Sequence, residues 1–286
     1  MNAPLALARG SLRRAQPWLG TLVSIEASGL SPTRLANAME RAFRAVARVH
    51  TLMSFHDPES ELARLNRDAH GGPIPVSGHL LRVLRTACRI SALTGGRFDV
   101  TVAPVLVRWG YLPGPPASEN GHGDWRDLRF GPGRTVQFAR PLLIDLGGIA
   151  KGYAVDLAIA TLCRAGVTQA CVNAGGDLRF YGRELRQIGI RDPDNPGRLH
   201  LLPARLNGAV ASSCVQNTRR KQGRGWCSPV VNPLTGRALS APYSVTVLAR
   251  SCLYADALTK PVALDAAAAT PVLRRLRAQA LLLPAP

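Results

Sequence analysis

The chain has 286 residues, of which 46% are hydrophobic and 19% charged, with 27 Gly and 22 Pro, and this composition excludes both bulk disorder and collagen-like order. Its formal charge of +18 comes from 36 basic residues against 18 acidic ones, but all the basic side chains except Lys151, Lys221 and Lys260 are arginines spread along the sequence. With aromatics at only 5% there is no stacking platform for a nucleic acid, and an anionic small molecule is the better-matched partner.

No apolar run reaches the roughly eighteen residues of a membrane span, and the longest candidate, Ala278 to Leu283, ends in Pro284, so no membrane anchor is expected. Arg9, Arg13 and Arg14 follow the first apolar piece, the reverse of a secretory signal's charge order. Residues 1–17 read as a disordered N-terminus, residues 18–283 as one domain, and the expected compartment is the cytoplasm. The six cysteines form no CxxC pair and no zinc spacing, and most read as small core residues.

Thr21 to Ala27 reads as a strand. Ser31-Pro32 supplies a cap and a first-turn proline for a long amphipathic helix carrying Leu35, Met39, Ala42, Phe43, Val46, Val49 and Met53. A second helix is predicted from Gly78 to Leu93, stopped by Gly95-Gly96. Leu112 to Gly133 is Gly/Pro-rich and reads as a loop or insertion. Beyond it the pattern predicts a strand at Leu142 to Asp145, a helix at Ala150 to Arg164 closed by Gly166, and strands at Ala170 to Asn173, Gln187 to Arg191, Leu206 to Ser212 and Tyr243 to Ala249. The tail from Pro261 reads as helix broken by Pro271. The fold class is α+β, a mostly antiparallel sheet with packed helices.

Several segments carry candidate chemistry. In LLIDLGGIAKGYAVD (Leu142 to Asp156) a strand delivers Asp145 to a Gly147-Gly148 turn that opens a helix with Lys151 in its first turn, which suits a phosphate. It is neither a Walker A loop nor a Rossmann fingerprint, and it reads equally well as a plain strand–turn–helix corner with a solvated lysine. GRFDVTVAP places Phe98 beside Asp99, as a planar ligand would need and as a strand start would also have. VNAGGDLRFYG brings a second Gly-Gly with Asp177, and VVNPLTG opens as an Asn-Pro turn. Asp256 follows the strand at Tyr243 and by itself reads as a cap or a surface charge; if it meets the turn at Gly148, its carboxylate, backbone carbonyls and phosphates would together give the all-oxygen shell that magnesium prefers. His50, His56, His79 and His200 read as surface or packing histidines.

In this order, with Leu19-Gly20-Thr21, Ser54-Phe55 and SELARLN (Ser60 to Asn66), these segments resemble the ApbE-like family of FAD:protein FMN transferases from Leu19 to about Leu264. The resemblance implies a T-fold-like α+β architecture with a flavin cleft. It also implies a magnesium-dependent enzyme that splits FAD, releases AMP and joins FMN to a Thr or Ser of a target flavoprotein. By residue, it implies FAD contacts at Leu19, Phe55, Arg97, Phe98, Asp99, Asp145, Lys151 and Val231, and magnesium at the Gly148 carbonyl and Asp256.

The pattern departs from the family at its chemistry. Pro229 stands at the family's His and Asn232 at its Asp, so no catalytic residue is assigned. Lys260 replaces the metal Thr, Thr259 is one residue early, and Pro261 is expected to disrupt that helix. The family's Thr-Ser-Gly reads Ser212-Ser213-Cys214, followed by VQNTRRK. A degenerate transferase is the first reading; the alternatives are a non-catalytic FAD-binding regulatory or interaction protein, with Lys260 in the place of the metal's charge, and a FAD pyrophosphatase.

Overall fold

The computed structural model describes residues 10–114, 123–195, 197–214, 220–222, 225–239, 241 and 243–284. The first third contains strands β1 (Leu12–Trp18) and β2 (Thr21–Ser28), helices α1 (Pro32–Met53) and α2 (Glu61–Asp68), strand β3 (Ile74–Pro75) and helices α3 (Gly78–Leu93) and α4 (Ala103–Arg108). Strands β4 (Leu128–Phe130) and β5 (Thr135–Phe138), helix α5 (Ala150–Arg164) and strands β6 (Gln169–Ala174), β7 (Asp177–Arg186), β8 (Gly189–Arg191) and β9 (Leu199–Leu201) follow. Next come β10 (Arg205–Cys214), β11 (Arg220–Gln222), β12 (Gly225–Cys227), β13 (Val231–Asn232) and β14 (Arg237–Ala238). The last elements are β15 (Tyr243–Ala249), α6 (Cys252–Leu264), α7 (Ala266–Arg275) and β16 (Gln279–Pro284).

Seven strands form one antiparallel sheet in the order β1-β2-β6-β7-β10-β15-β16. Alternation makes the layering: Val23, Ile25 and Ala27 of β2, with Ala170, Val172 and Ala174 of β6, are buried while their neighbours are not. Helices α1, α5 and α6 cover that face. Helix α1 alone buries Leu35, Met39, Phe43, Val46, Val49 and Met53 along one stripe, each large side chain contributing about 1.5–3 kcal/mol of transfer free energy. The hairpin of β8 and β9 shields the other face near Leu178, Val210, Leu248 and Leu281.

The α+β class and the antiparallel sheet agree with the sequence reading, as do the bounds of the helices at Pro32, Gly78 and Ala150. Ser31 precedes α1 without a side-chain capping bond, whereas Ser60 and Ser77 accept the amides of Ala63 and Leu80. Five expectations are corrected. Residues 12–17, expected to be disordered, belong to β1, held by the hairpin to β2; residues 1–9 lie outside the described residues. Leu142 to Asp145 is extended but joins no ladder: Asn66 brackets Ile144 instead, its Nδ2 donating to the carbonyl and its Oδ1 accepting the amide, both at 2.9 Å. Part of the expected loop from Leu112 to Gly133 forms β4, while residues 115–122 lie outside the described residues. Pro261 sits inside α6, which continues to Leu264, and the end of the tail is strand β16 paired with β15 rather than helix. Proline costs α6 one hydrogen bond near its end, and an available sheet edge overrides the helical preference of Ala and Leu.

Helices α5 and α6 touch at Gly152, where a Cβ would overlap the backbone carbonyl of Cys252. Gly152→Ala is therefore expected to lower stability by about 1–3 kcal/mol through overpacking. Thermal unfolding followed by circular dichroism checks this; an unchanged midpoint would show that the two helices can part there.

Candidate active site

A half-open cleft of about 460 Å³ lies where the turn before α5, the end of α1, the β1–β2 hairpin and the start of β7 converge. Leu19 reaches it from the tip of the hairpin, where Leu19 and Gly20 have φ of 58° and 69°. Positive φ at both residues of a two-residue loop is what a tight hairpin needs, and for a leucine it is a strained conformation. Phe55 and His56 follow the last turn of α1, and His50 and Met53 line the cleft from within that helix.

The polar end of the cleft is a compact cluster of two lysines and two aspartates. Gly175 and Gly176, with φ of 65° and 109°, close the turn that starts β7 at Asp177. Lys151, one residue into α5, places its Nζ 3.0 Å from Asp177 Oδ2, 3.7 Å from Asp256 Oδ2 and 3.3 Å from the Gly147 carbonyl. Asp256, buried on α6, accepts the Gly152 amide at 3.1 Å and Lys260 Nζ at 2.5 Å. The same Nζ donates to the Asp256 carbonyl at 2.9 Å and to the Gly148 carbonyl at 3.1 Å.

Burial and the field of Asp256 push the Asp177 carboxyl up to about 6, against the opposing pull of Lys151 and Lys260. Burial likewise works to raise Asp256, but Lys151 and then Lys260 outweigh it and hold that carboxyl below its usual value. Burial raises Asp145 as well, despite the Gly147 amide on its Oδ2 at 3.1 Å.

A narrower recess of about 60 Å³ adjoins the cleft, and Leu106, Asp145, Gly148, Pro229, Val230 and Lys260 line both. Of the residues singled out from sequence, Leu19, Phe55, Asp145, Gly148, Lys151, Pro229 and Asp256 line the cleft. Arg97, Phe98, Asp99 and Val231 line the recess. Several of these already have intramolecular work. Arg97 pairs with Asp265 at 3.4 Å, and Asp99 accepts the amides of Thr101 at 2.9 Å and Trp125 at 3.2 Å. Asn232 shapes its own turn by accepting the Leu234 amide and lines neither chamber.

Lys151 is not the solvated lysine that a plain corner would leave, nor an uncommitted phosphate ligand, since two carboxylates hold it. Asp177 was visible only as part of a Gly-Gly motif, and its partner Lys151 lies on another element. His50 and His56, expected at the surface or in packing, both line the cleft. Thr259 turns away, its hydroxyl donating to the Asp256 carbonyl at 2.7 Å in the core. Among the described residues no arginine lines the cleft: Arg41, Arg44, Arg48, Arg82, Arg134 and Arg164 instead surround a broad depression against α1, α3 and α5. Cys214 ends β10, and residues 215–219 beyond it lie outside the described residues.

A helix-backed antiparallel sheet whose largely apolar cleft ends on buried charged groups is the architecture of an enzyme that takes a sizeable ligand with a polar end. The chain belongs to the ApbE family, whose model matches residues 19–282. It is 31% identical over 233 residues to a FAD:protein FMN transferase of Vibrio cholerae, an alignment that covers 75% of this chain and 69% of that one. Among solved structures it resembles the ApbE protein of Thermotoga maritima, with a TM-score of 0.85 and 25% identity over 95% of this chain and 94% of that one. The flavin transferase ApbE from Vibrio cholerae gives a TM-score of 0.80 and 27% identity over 95% and 93% of the two chains.

The raised carboxyl of Asp177 has a consequence for stability. Between the unfolded value of 3.8 and the folded value of about 6, the folded state holds a proton that the unfolded state has released. The contribution is fully present below the lower value and is lost as pH rises through the upper one. The stability difference between the wild type and Asp177→Asn is expected to shift against the wild type from pH 4 to pH 6; urea unfolding of both proteins across that range measures it, and parallel profiles would contradict it.

Proposed function

We propose that this protein is a FAD:protein FMN transferase that binds FAD in the cleft and transfers FMN to a Thr or Ser hydroxyl of a target protein. The observation that carries the reading is the junction of a largely apolar cleft, with Leu19 and Phe55 on its walls, to a buried cluster of Lys151, Lys260, Asp177 and Asp256. The isoalloxazine ring suits the first and the pyrophosphate suits the second. The acceptor oxygen would attack the phosphorus of the FMN half, the P–O–P bond would break, AMP would leave with the bridging oxygen, and the hydroxyl proton would pass to a base.

This chain's own groups set the pace of that step. Pro229 lines the wall shared by cleft and recess, and its side chain has no proton-accepting atom. Asp145, raised by burial and facing both chambers, suits the proton better than a carboxylate of ordinary acidity would. Magnesium, implied by the family resemblance, does not fit the donors present, because Lys260 Nζ stands among the Gly148 and Asp256 oxygens. None of the six cysteines is joined in a disulfide, which suits a reducing compartment such as the cytoplasm. Among the described residues no helix is long and apolar enough to cross a membrane.

Binding without transfer is a second reading, favoured by Pro229. One experiment separates the possibilities: incubate the protein with FAD and a threonine-containing acceptor peptide, then follow peptide mass, FMN and AMP. The transferase reading expects FMN-peptide and AMP together, at a rate about a hundredfold to ten-thousandfold below that of an enzyme with a placed imidazole. FMN and AMP without modified peptide would mean hydrolysis, and bound but intact FAD would mean a binding protein; either result overturns transfer. Phe55→Ala is expected to weaken FAD binding by about two- to tenfold through loss of an aromatic wall, as read by flavin fluorescence titration, and an unchanged affinity would remove the flavin from that wall.

A further inference from the structure

We propose that the Lys260 ammonium is the resident cation of this site, a covalently tethered replacement for a divalent metal, so that the protein engages its flavin nucleotide without magnesium; this rests on the reading of the cleft as a FAD site. Three observations carry it. The first is coordination. Lys260 Nζ is held by the Gly148 carbonyl at 3.1 Å, the Asp256 carbonyl at 2.9 Å and Asp256 Oδ1 at 2.5 Å. A lysine ammonium has three N–H donors, and these three oxygens use all of them.

The second is space. The lysine stem fills the position beside Gly148, with Cε only 3.1 Å from where a Cβ at Gly148 would stand. Pro261, the next residue, and the buried run of α6 fix the origin of that stem. The cation is therefore seated in a cradle shaped to it, and its head lies in the wall common to cleft and recess.

The third is what a metal would require. Magnesium demands about six oxygens at roughly 2.0–2.1 Å and keeps several waters. Of the three oxygens around Nζ, two are carbonyls and one belongs to a carboxylate, all at ammonium spacing. Asp177, the other carboxylate of the cluster, is paired with Lys151 at 3.0 Å. Among the described residues no group of three or more His, Cys, Asp or Glu side chains is placed to hold a metal ion. A divalent ion entering here would have to expel the ammonium and then face it across the length of one side chain.

The chemical consequence follows from donor count. With its three N–H groups engaged, Lys260 acts on a bound pyrophosphate through its charge, at fixed position, and brings one positive charge where a divalent ion would bring two. It cannot dissociate with product and cannot be removed by a chelator.

The test uses the intact protein. Manganese, titrated alone and followed by its electron paramagnetic resonance signal, is expected to stay free in the presence of the wild type, and FAD affinity measured by flavin fluorescence is expected to be the same in EDTA and in excess magnesium. Lys260→Thr is expected to create a manganese site and to make FAD binding at least about tenfold tighter with magnesium than with EDTA. Lys260→Arg keeps the charge and is expected to remain indifferent to both. A stoichiometric manganese site in the wild type, or wild-type FAD binding that needs magnesium, would overturn the proposal, and both measurements stand even if Lys260→Thr fails to fold. Absence of FAD binding under every condition would instead defeat the transferase reading, and the manganese titration would still decide the occupant of the cradle.

Discussion

The contact between α5 and α6 is the constraint on which the site depends. The two helices approach closely enough that Gly152 faces the Cys252 backbone, and Asp256 on one helix accepts the amide of Gly152 on the other. One turn further along, Asp156 of α5 caps α6 by accepting from Ser251 Oγ at 2.6 Å and from the amides of Cys252 and Leu253 at 2.9 and 3.0 Å. The same carboxylate takes Arg179 of β7 at 2.7 Å, which ties the helix pair to the sheet. Because α6 is fixed at its first turn, Asp256 and Lys260 arrive on the Gly148 side without freedom to rotate. The cleft's polar end is thus a by-product of how two helices cross.

That crossing also explains the electrostatics. In a chain of formal charge +18 the charged floor of the cleft is balanced, two lysines against two aspartates in alternation. Buried charges persist only when paired and hydrogen-bonded. Six of the arginines gather elsewhere, around α1, α3 and α5, where solvent reaches them. Overall charge is accordingly a poor guide to what the cleft attracts.

How much of this could be read from the sequence depended on the range of the interaction. The helices starting at Pro32, Gly78 and Ala150 were legible because apolar spacing, prolines and terminal glycines act within a turn or two. Strand β15 was legible because Val245 and Val247 alternate with Ser244 and Thr246 in the sequence, although the fold buries all four. The stretch at Ile144 was misread, since its backbone is satisfied by a side chain 78 positions earlier, and no local pattern announces that. β16 was misread for the same reason, a leucine run whose state is set by the edge it meets. In the site, Gly148, Lys151 and Asp256 were found through motif order, but the partners they engage were not. The tie of Asp177 to Lys151, and the seat of Lys260 against Gly148 112 positions away, exist only after folding. Lys260 could be seen in the sequence as a departure; its coordination could not.

The two ends of the main sheet differ in a way that bears on how the protein behaves when crowded. β1, at one edge, presents Arg13, Arg14 and Pro17, charges and a missing amide that discourage another strand from docking. β16, at the opposite edge, exposes Leu282 at 38% between the half-buried Leu281 and Leu283, with Pro284 at the last position of the strand. Self-association through backbone pairing would be one-sided, starting from the leucine edge, and a single lysine placed outward there would make the molecule more tolerant of high concentration without touching the cleft.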